Sequence, residues 1–267
     1  MTGTPVSRGA SSRARTGVRG LRLLVLGLAI LAAACDLRVT NPSKIKAEDL
    51  LEDPSLLHAI VVGAVSDVGY AALVPSFGGV VAAGGLLSDE LVATSTRQGL
   101  RAINDGRPRD DYSETREWWA AAARARWTAE TAYETAKRLS PTPDSDPEVA
   151  TAALYAGLAN RLSGDNFCHA VINGGPLEPT SVNFERAVGY FTAAIEVATA
   201  AGLDSIVTAA YGGRAQAHMM LGNWSAAVAD ARHVPTNFVF RILITSQSRN
   251  LNYIWSYTRG SVKHYTV

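Results

Sequence analysis

The 267 residues contain two cysteines, Cys35 and Cys168, and the second is followed directly by His169. A thiol beside an imidazole is the raw material of nucleophilic catalysis, in which histidine takes the thiol proton and a third group orients the ring. Neighbours in sequence often point apart, however, and no Asn or Asp can be assigned the orienting role. Asp165, Cys168 and His169 also offer three metal-binding side chains, but without a recognisable zinc spacing. The reading is therefore a structural cysteine at 168, with no catalytic residue, metal ligand or cofactor assigned. Aromatic residues raise a different chemistry. Trp118, Trp119 and Trp127 could stack on sugar faces, but their place on a periodic helix assigns them to a core. Tyr253, Trp255, Tyr257 and Tyr265 either stack on sugars or pack against chain that follows.

Cys35 poses another question, because it closes the most apolar run of the chain, 23–35, LLVLGLAILAAAC. The first acidic residue is Asp36, whereas Arg8, Arg13, Arg15, Arg19 and Arg22 all precede the run. A basic leader, a short apolar stretch and small residues before a cleavage point make a secretory signal, too short to span a bilayer. Leu31-Ala32-Ala33-Ala34-Cys35 resembles the lipobox of bacterial lipoproteins, which implies cleavage before Cys35 and lipidation of its thiol. Residues 1–34 are thus expected to be a lipoprotein signal peptide and 35–52 a lipidated tether. Removing 1–34 takes five of the 25 basic residues, leaving 20 against 24 acidic ones. A mildly acidic chain without a clustered positive field excludes a nucleic-acid partner. With Cys35 acylated, no intramolecular disulfide is possible, so burial must hold the fold. A composition 47% hydrophobic and 18% charged is suited to that.

Beyond the tether, Asp53-Pro54 starts a helix, since Pro loses nothing at the first position and Asp can cap free amides. Leu57, Ile60, Val61, Ala64, Val65 and Val68 follow at helical spacing. Residues 74–89 hold two Gly-Gly pairs but no phosphate-binding motif, and are read as a flexible connection. Residues 94–113, with Gly99, Gly106 and Pro108, read as a loop. A long helix is expected over 114–139, where Trp118, Ala122, Ala125, Ala129, Ala132 and Ala136 line one face. Residues 140–147 are a linker, and Asp146-Pro147-Glu148 begins the next helix. Tyr211, Ala215, His218, Gly222, Trp224 and Ala227 fall at offsets resembling the tetratricopeptide repeat, with Gly222 at the turn and Trp224 and Tyr211 filling space between helices. The same scheme fits 149–201, where Gly157 and Gly164 match Ala215 and Gly222 and where Phe184 and Ala187 match Trp224 and Ala227. Here residues 165–183 are inserted at the tip of the hairpin, the position where a rigid scaffold carries functional loops.

The lipobox with CDLRVTNP after it, LLSDE, AAARARWTAETA, LSGDNFC, FERAVGYFTAAIEVA and GRAQAHMMLGNWSAAVADARHVPTNF together resemble the SusD/RagB family of outer-membrane lipoproteins. The resemblance implies an all-α fold of tetratricopeptide-like helical hairpins with long irregular loops, preceded by the signal peptide. It divides the mature chain into a helical domain over 53–240 and, at 241–267, the start of an incomplete C-terminal ligand-binding region. The implied function is capture of a glycan or other nutrient at the cell surface, as the lid partner of a SusC-type TonB-dependent transporter. The protein would be lipid-anchored in the outer membrane and would not be an enzyme. No ligand-binding residue carries over from the resemblance. The competing reading is a tetratricopeptide-like interaction scaffold, also a lipoprotein, without a small-molecule ligand.

Overall fold

In the computed structural model, which describes residues 51–242, 251–260 and 263–266, the chain turns helical at Pro54. The signal peptide, Cys35 and the tether up to residue 50 lie outside the described residues. Asp53 accepts from the Ser55 amide at 2.9 Å, capping a single 3-10 turn opened by Pro54. Helix α1, Leu57–Leu73, continues from it, followed by α2, Gly79–Leu87; α3, Gln98–Asn104; α4, Ser113–Leu139; α5, Pro147–Asn166; α6, Ser181–Ala200; α7, Asp204–Met220; α8, Trp224–Ala231; and α9, Tyr253–Arg259. Four short strands accompany them: β1, Val92–Ala93; β2, His169–Val171; β3, Leu177–Pro179; and β4, Tyr265–Thr266. The architecture is mostly helical, as an all-α chain should be.

Helices α4 to α8 pack in sequence order, each on the next, while α1 packs on α4 and α5. The segment Pro54–Leu73 is long and apolar enough to cross a bilayer by length and composition. Its inner face, Val61, Ala64 and Val68, nevertheless belongs to the same core cluster as the α4 alanines, and Leu57, Ile60 and Val65 pack against that cluster. Ala125, Ala129, Ala132 and Ala136 are all buried there, so the small residues do bring α4 close to its neighbours. The tightest interlock is between α5, α6 and α7. A Cβ on Gly157 would sit 2.6 Å from the Phe191 ring and one on Gly213 2.4 Å from it, while Phe184 presses on Gly164 at 2.8 Å. The seven-residue glycine spacing therefore encodes two slots for aromatic rings. Gly222, at φ +75°, makes the turn from α7 to α8, and Arg214 clamps the pair by donating to both oxygens of Asp230 at 2.8 and 2.7 Å.

The structure corrects four expectations. Residues 74–89 are no flexible connection, because 79–87 form α2 through both residues of Gly84-Gly85. Each helical glycine costs roughly 1 kcal/mol, but burying Val80 and Leu86 recovers about 1.5–3 kcal/mol apiece. Gly85 is also needed, since its Cβ would lie 2.8 Å from Leu91. Within the expected loop 94–113, Leu100 and Ile103 are buried on one face of α3. Trp224 does not fill space between helices: it is 65% exposed, at the first position of α8. Finally, Tyr265 is fully buried and so is not available to stack on a sugar. It joins Val80, Leu86, Leu100, Ile103 and Trp118 in a second core cluster, and β4 pairs antiparallel with β1, Ala93 opposite Tyr265.

Candidate functional site

The second cluster is roofed by an unusual turn. Ser76 and Phe77 both have left-handed φ, +47° and +77°, and Gly79 follows at +63°. Left-handed backbone at residues with a side chain costs on the order of 1–3 kcal/mol each and persists only where the surroundings impose it. Here they do. Trp118 Nε1 donates to the Pro75 carbonyl at 2.8 Å, the Ser76 hydroxyl donates to the Glu117 carboxylate, and a Cβ on Gly79 would lie 2.2 Å from the Ala72 carbonyl oxygen. The turn leaves Phe77 half-buried against the second cluster, and three groups meet its ring. The Arg97 guanidinium lies 3.9 Å from the centroid, His264 4.7 Å and Tyr257 5.4 Å. Tyr253 extends the row, 5.2 Å from Tyr257.

Phe77, Arg97, Tyr253 and Tyr257 wall a cleft of about 500 Å³ that also takes in Tyr70, Ser113 and Glu117, while His264 packs on the Phe77 and Tyr257 rings beside it. Burial pushes the Tyr257 phenol up, helped by Tyr253 and opposed by Arg97, so it stays protonated and able to donate. Burial lowers His264, and the Arg97 charge lowers it further. Its neutral ring lies 2.8 Å from the Ser95 hydroxyl. The cleft thus combines ring faces, a guanidinium, a carboxylate and hydroxyls. Such a lining suits a ligand with an apolar C–H face and a rim of hydroxyl groups.

On sequence alone, none of the residues 165–169 is assigned to catalysis or metal binding, and Cys168 reads as structural. Cys168 is exposed, so it is not a buried structural cysteine. Asp165 turns back to Arg161 at 3.3 Å, and His169 enters β2 opposite Pro179. Among the described residues no three His, Cys, Asp or Glu side chains could hold a metal ion. The insertion itself is a β-hairpin whose turn, Asn173-Gly174, has positive φ at both residues, 51° and 77°. An Asn-Gly pair is the expected signal for such a turn; the sequence reading missed it. Trp118 is core, but Trp119 and Trp127 are 47% and 52% exposed, against the expectation that all three are buried. A helix has only one inward face, and 119 and 127 fall off it. Comparison with protein-family models, curated proteins and solved structures returned no match.

Proposed function

We propose that this chain is the capture subunit of a nutrient importer: a lipoprotein of the SusD/RagB kind, anchored through Cys35 on the outer membrane and working with a TonB-dependent transporter. On this reading the helices α5–α8 are a tetratricopeptide-like scaffold, and the cleft beside Phe77 receives a glycan. The observation that carries the reading is the strained Ser76-Phe77 turn, which sets an aromatic ring in the cleft wall with Arg97 and Tyr257 around it. Strain of this kind accumulates at ligand sites because it is retained only for what it positions. The cleft joins segments far apart in the chain, so a ligand bridging Phe77 and Tyr253 favours the arrangement in which both face it. That differential affinity is what a lid needs in order to respond to its substrate.

The test is affinity electrophoresis and calorimetry of the purified chain against oligosaccharides, with Phe77→Ala and Arg97→Ala beside the parent. Binding that falls at least tenfold in both variants supports the reading, and retention of full binding refutes this cleft. Membrane fractionation of Cys35→Ser and co-purification of a β-barrel partner test the anchor and the transporter. The second reading, a scaffold without a small ligand, is favoured by the outer face of α8. There Trp224 and Val228, with Met219 and Met220 at the end of α7, leave apolar surface exposed, a feature typical of protein docking sites. Undiminished partner capture by a chain blind to every saccharide would select it.

A further inference from the structure

The exposed tryptophans of α4 and the inserted hairpin were unrelated features of the sequence, yet they border the same surface. Trp119 lines a narrow crevice together with His169, Val171 and Ile172. Eight residues on, and hence about 12 Å further along the helix axis, Trp127 lines an open cleft of about 750 Å³ whose opposite wall includes Asn173 of the hairpin turn, Arg186 and Tyr190. The hairpin therefore runs alongside α4 from one exposed indole to the other.

We infer that this surface is a second saccharide-binding site, centred on Trp127 and separate from the Phe77 cleft. The inference rests on reading the chain as a glycan-capture protein and adds a subsite to it. Three observations support it. First, Trp127 keeps about half of its surface in water, and a sugar ring laid on the indole would cover that apolar face. Second, the polar walls are already fixed. Glu130, buried between helices, accepts from Arg126 at 2.9 Å, from Arg186 at 2.8 Å and from Asn160 at 2.8 Å. Arg126 in turn donates to Asn173 Oδ1 at 3.2 Å. One buried carboxylate thus ties together α4, α5 and α6, and Arg126 links it to the hairpin turn, so Arg186 and Asn173 are immobilised before any ligand arrives. Pre-ordered walls lower the entropic cost of binding.

Third, the lining has the mixture a polyol requires. Burial pushes the Tyr190 phenol up to about 12, with the Glu130 charge adding to it, so it remains a donor at physiological pH. Glu134 and Thr131 supply acceptors, and Lys137 and Arg186 supply donors. Because Glu130 is occupied by two arginines, the cleft with Lys137, Arg138 and Glu134 leans positive. It selects saccharides that are neutral or carry carboxylates over those carrying amines.

The test is calorimetry of the full chain with neutral hexasaccharides of the xylan, cellulose, mannan and starch types and with an oligogalacturonate. Alongside the parent are Trp127→Ala, Trp119→Ala and, for the first cleft, Phe77→Ala. Trp127 is exposed, so its variant folds, and circular dichroism checks this. The expected result is one saccharide whose binding falls about tenfold in Trp127→Ala and less in Trp119→Ala, with residual binding removed by adding Phe77→Ala. Binding abolished by Phe77→Ala and untouched by Trp127→Ala overturns this inference while the capture reading stands. Binding of no saccharide by any form overturns both, and loss of only a protein partner in Trp127→Ala makes the surface a docking face instead.

Discussion

The stack α5–α7 and the Phe77 region are built on opposite plans. In the stack, one ring, Phe191, fills slots cut by Gly157 and Gly213, and each helix touches the next one in the chain. In the Phe77 region, Phe77, Ala93, Leu100, Ile103, Trp118, Ile254, Tyr257 and Tyr265 converge from across the sequence, and the backbone at Ser76 and Phe77 is held in left-handed conformations. The first region derives its stability from regular local packing. The second accepts strain and displays aromatic and charged groups toward a cleft. Periodic helices thus supply rigidity in this molecule, while ligand-facing chemistry sits where distant segments meet.

Breaking the stack should produce the largest effects. Phe191→Ala is expected to destabilise the fold by about 3–5 kcal/mol, read as a fall in the denaturation midpoint of the whole domain. Glu130→Gln comes next, at roughly 3 kcal/mol, because it leaves Arg126 buried without its charge partner. Chemical denaturation measures that loss, and a variant as stable as the parent would contradict the network. Gly157→Ala should cost about 1–3 kcal/mol by overpacking against Phe191, while Ala on Gly189, which meets nothing within 4 Å, should be neutral or slightly stabilising. An equal loss at both glycines would remove the distinction between slot and surface.

The smallest expected effect concerns the Phe77 region. His264 has a lowered pKa in the folded state, through burial and then Arg97. Its contribution to stability is therefore complete above the unfolded value near 6.5 and is lost as pH falls through the folded value, because the unfolded chain takes the proton first. Protection factors at 253–260 and 263–266, corrected for the intrinsic slowing of exchange at lower pH, should fall between pH 7 and pH 5 more than those in α5–α7. His264→Phe, which keeps a ring between Phe77 and Tyr257, should abolish that difference.

Much of the scaffold was legible in the sequence. The helical starts at Asp53-Pro54 and Asp146-Pro147, the alanine face of α4 and the Gly222 turn all express preferences acting within a few residues, whereas Gly164, matched in sequence to the turn glycine Gly222, lies inside α5. Helices α2 and α3 were not legible. Their glycines argue locally against helix, and only the burial of Val80, Leu86, Leu100 and Ile103 by distant chain reverses that preference. The candidate site was less visible still. Arg97, Phe77 and Glu117 carry no motif, and Tyr257 and Tyr265 looked alike until one faced the cleft and the other entered the core.

Backbone preference and hydrophobic spacing are short-range properties, and for that reason the amino-acid order alone was enough to dictate a largely helical chain, the helix starts at Pro54 and Pro147 and the apolar faces of α1 and α4. Which tryptophans stay in water, what the insertion lies against and which segments enclose a cleft emerged only once the chain had folded. Those outcomes depend on contacts such as the one between Ser95 and His264, 169 positions apart, and no local pattern carries that information.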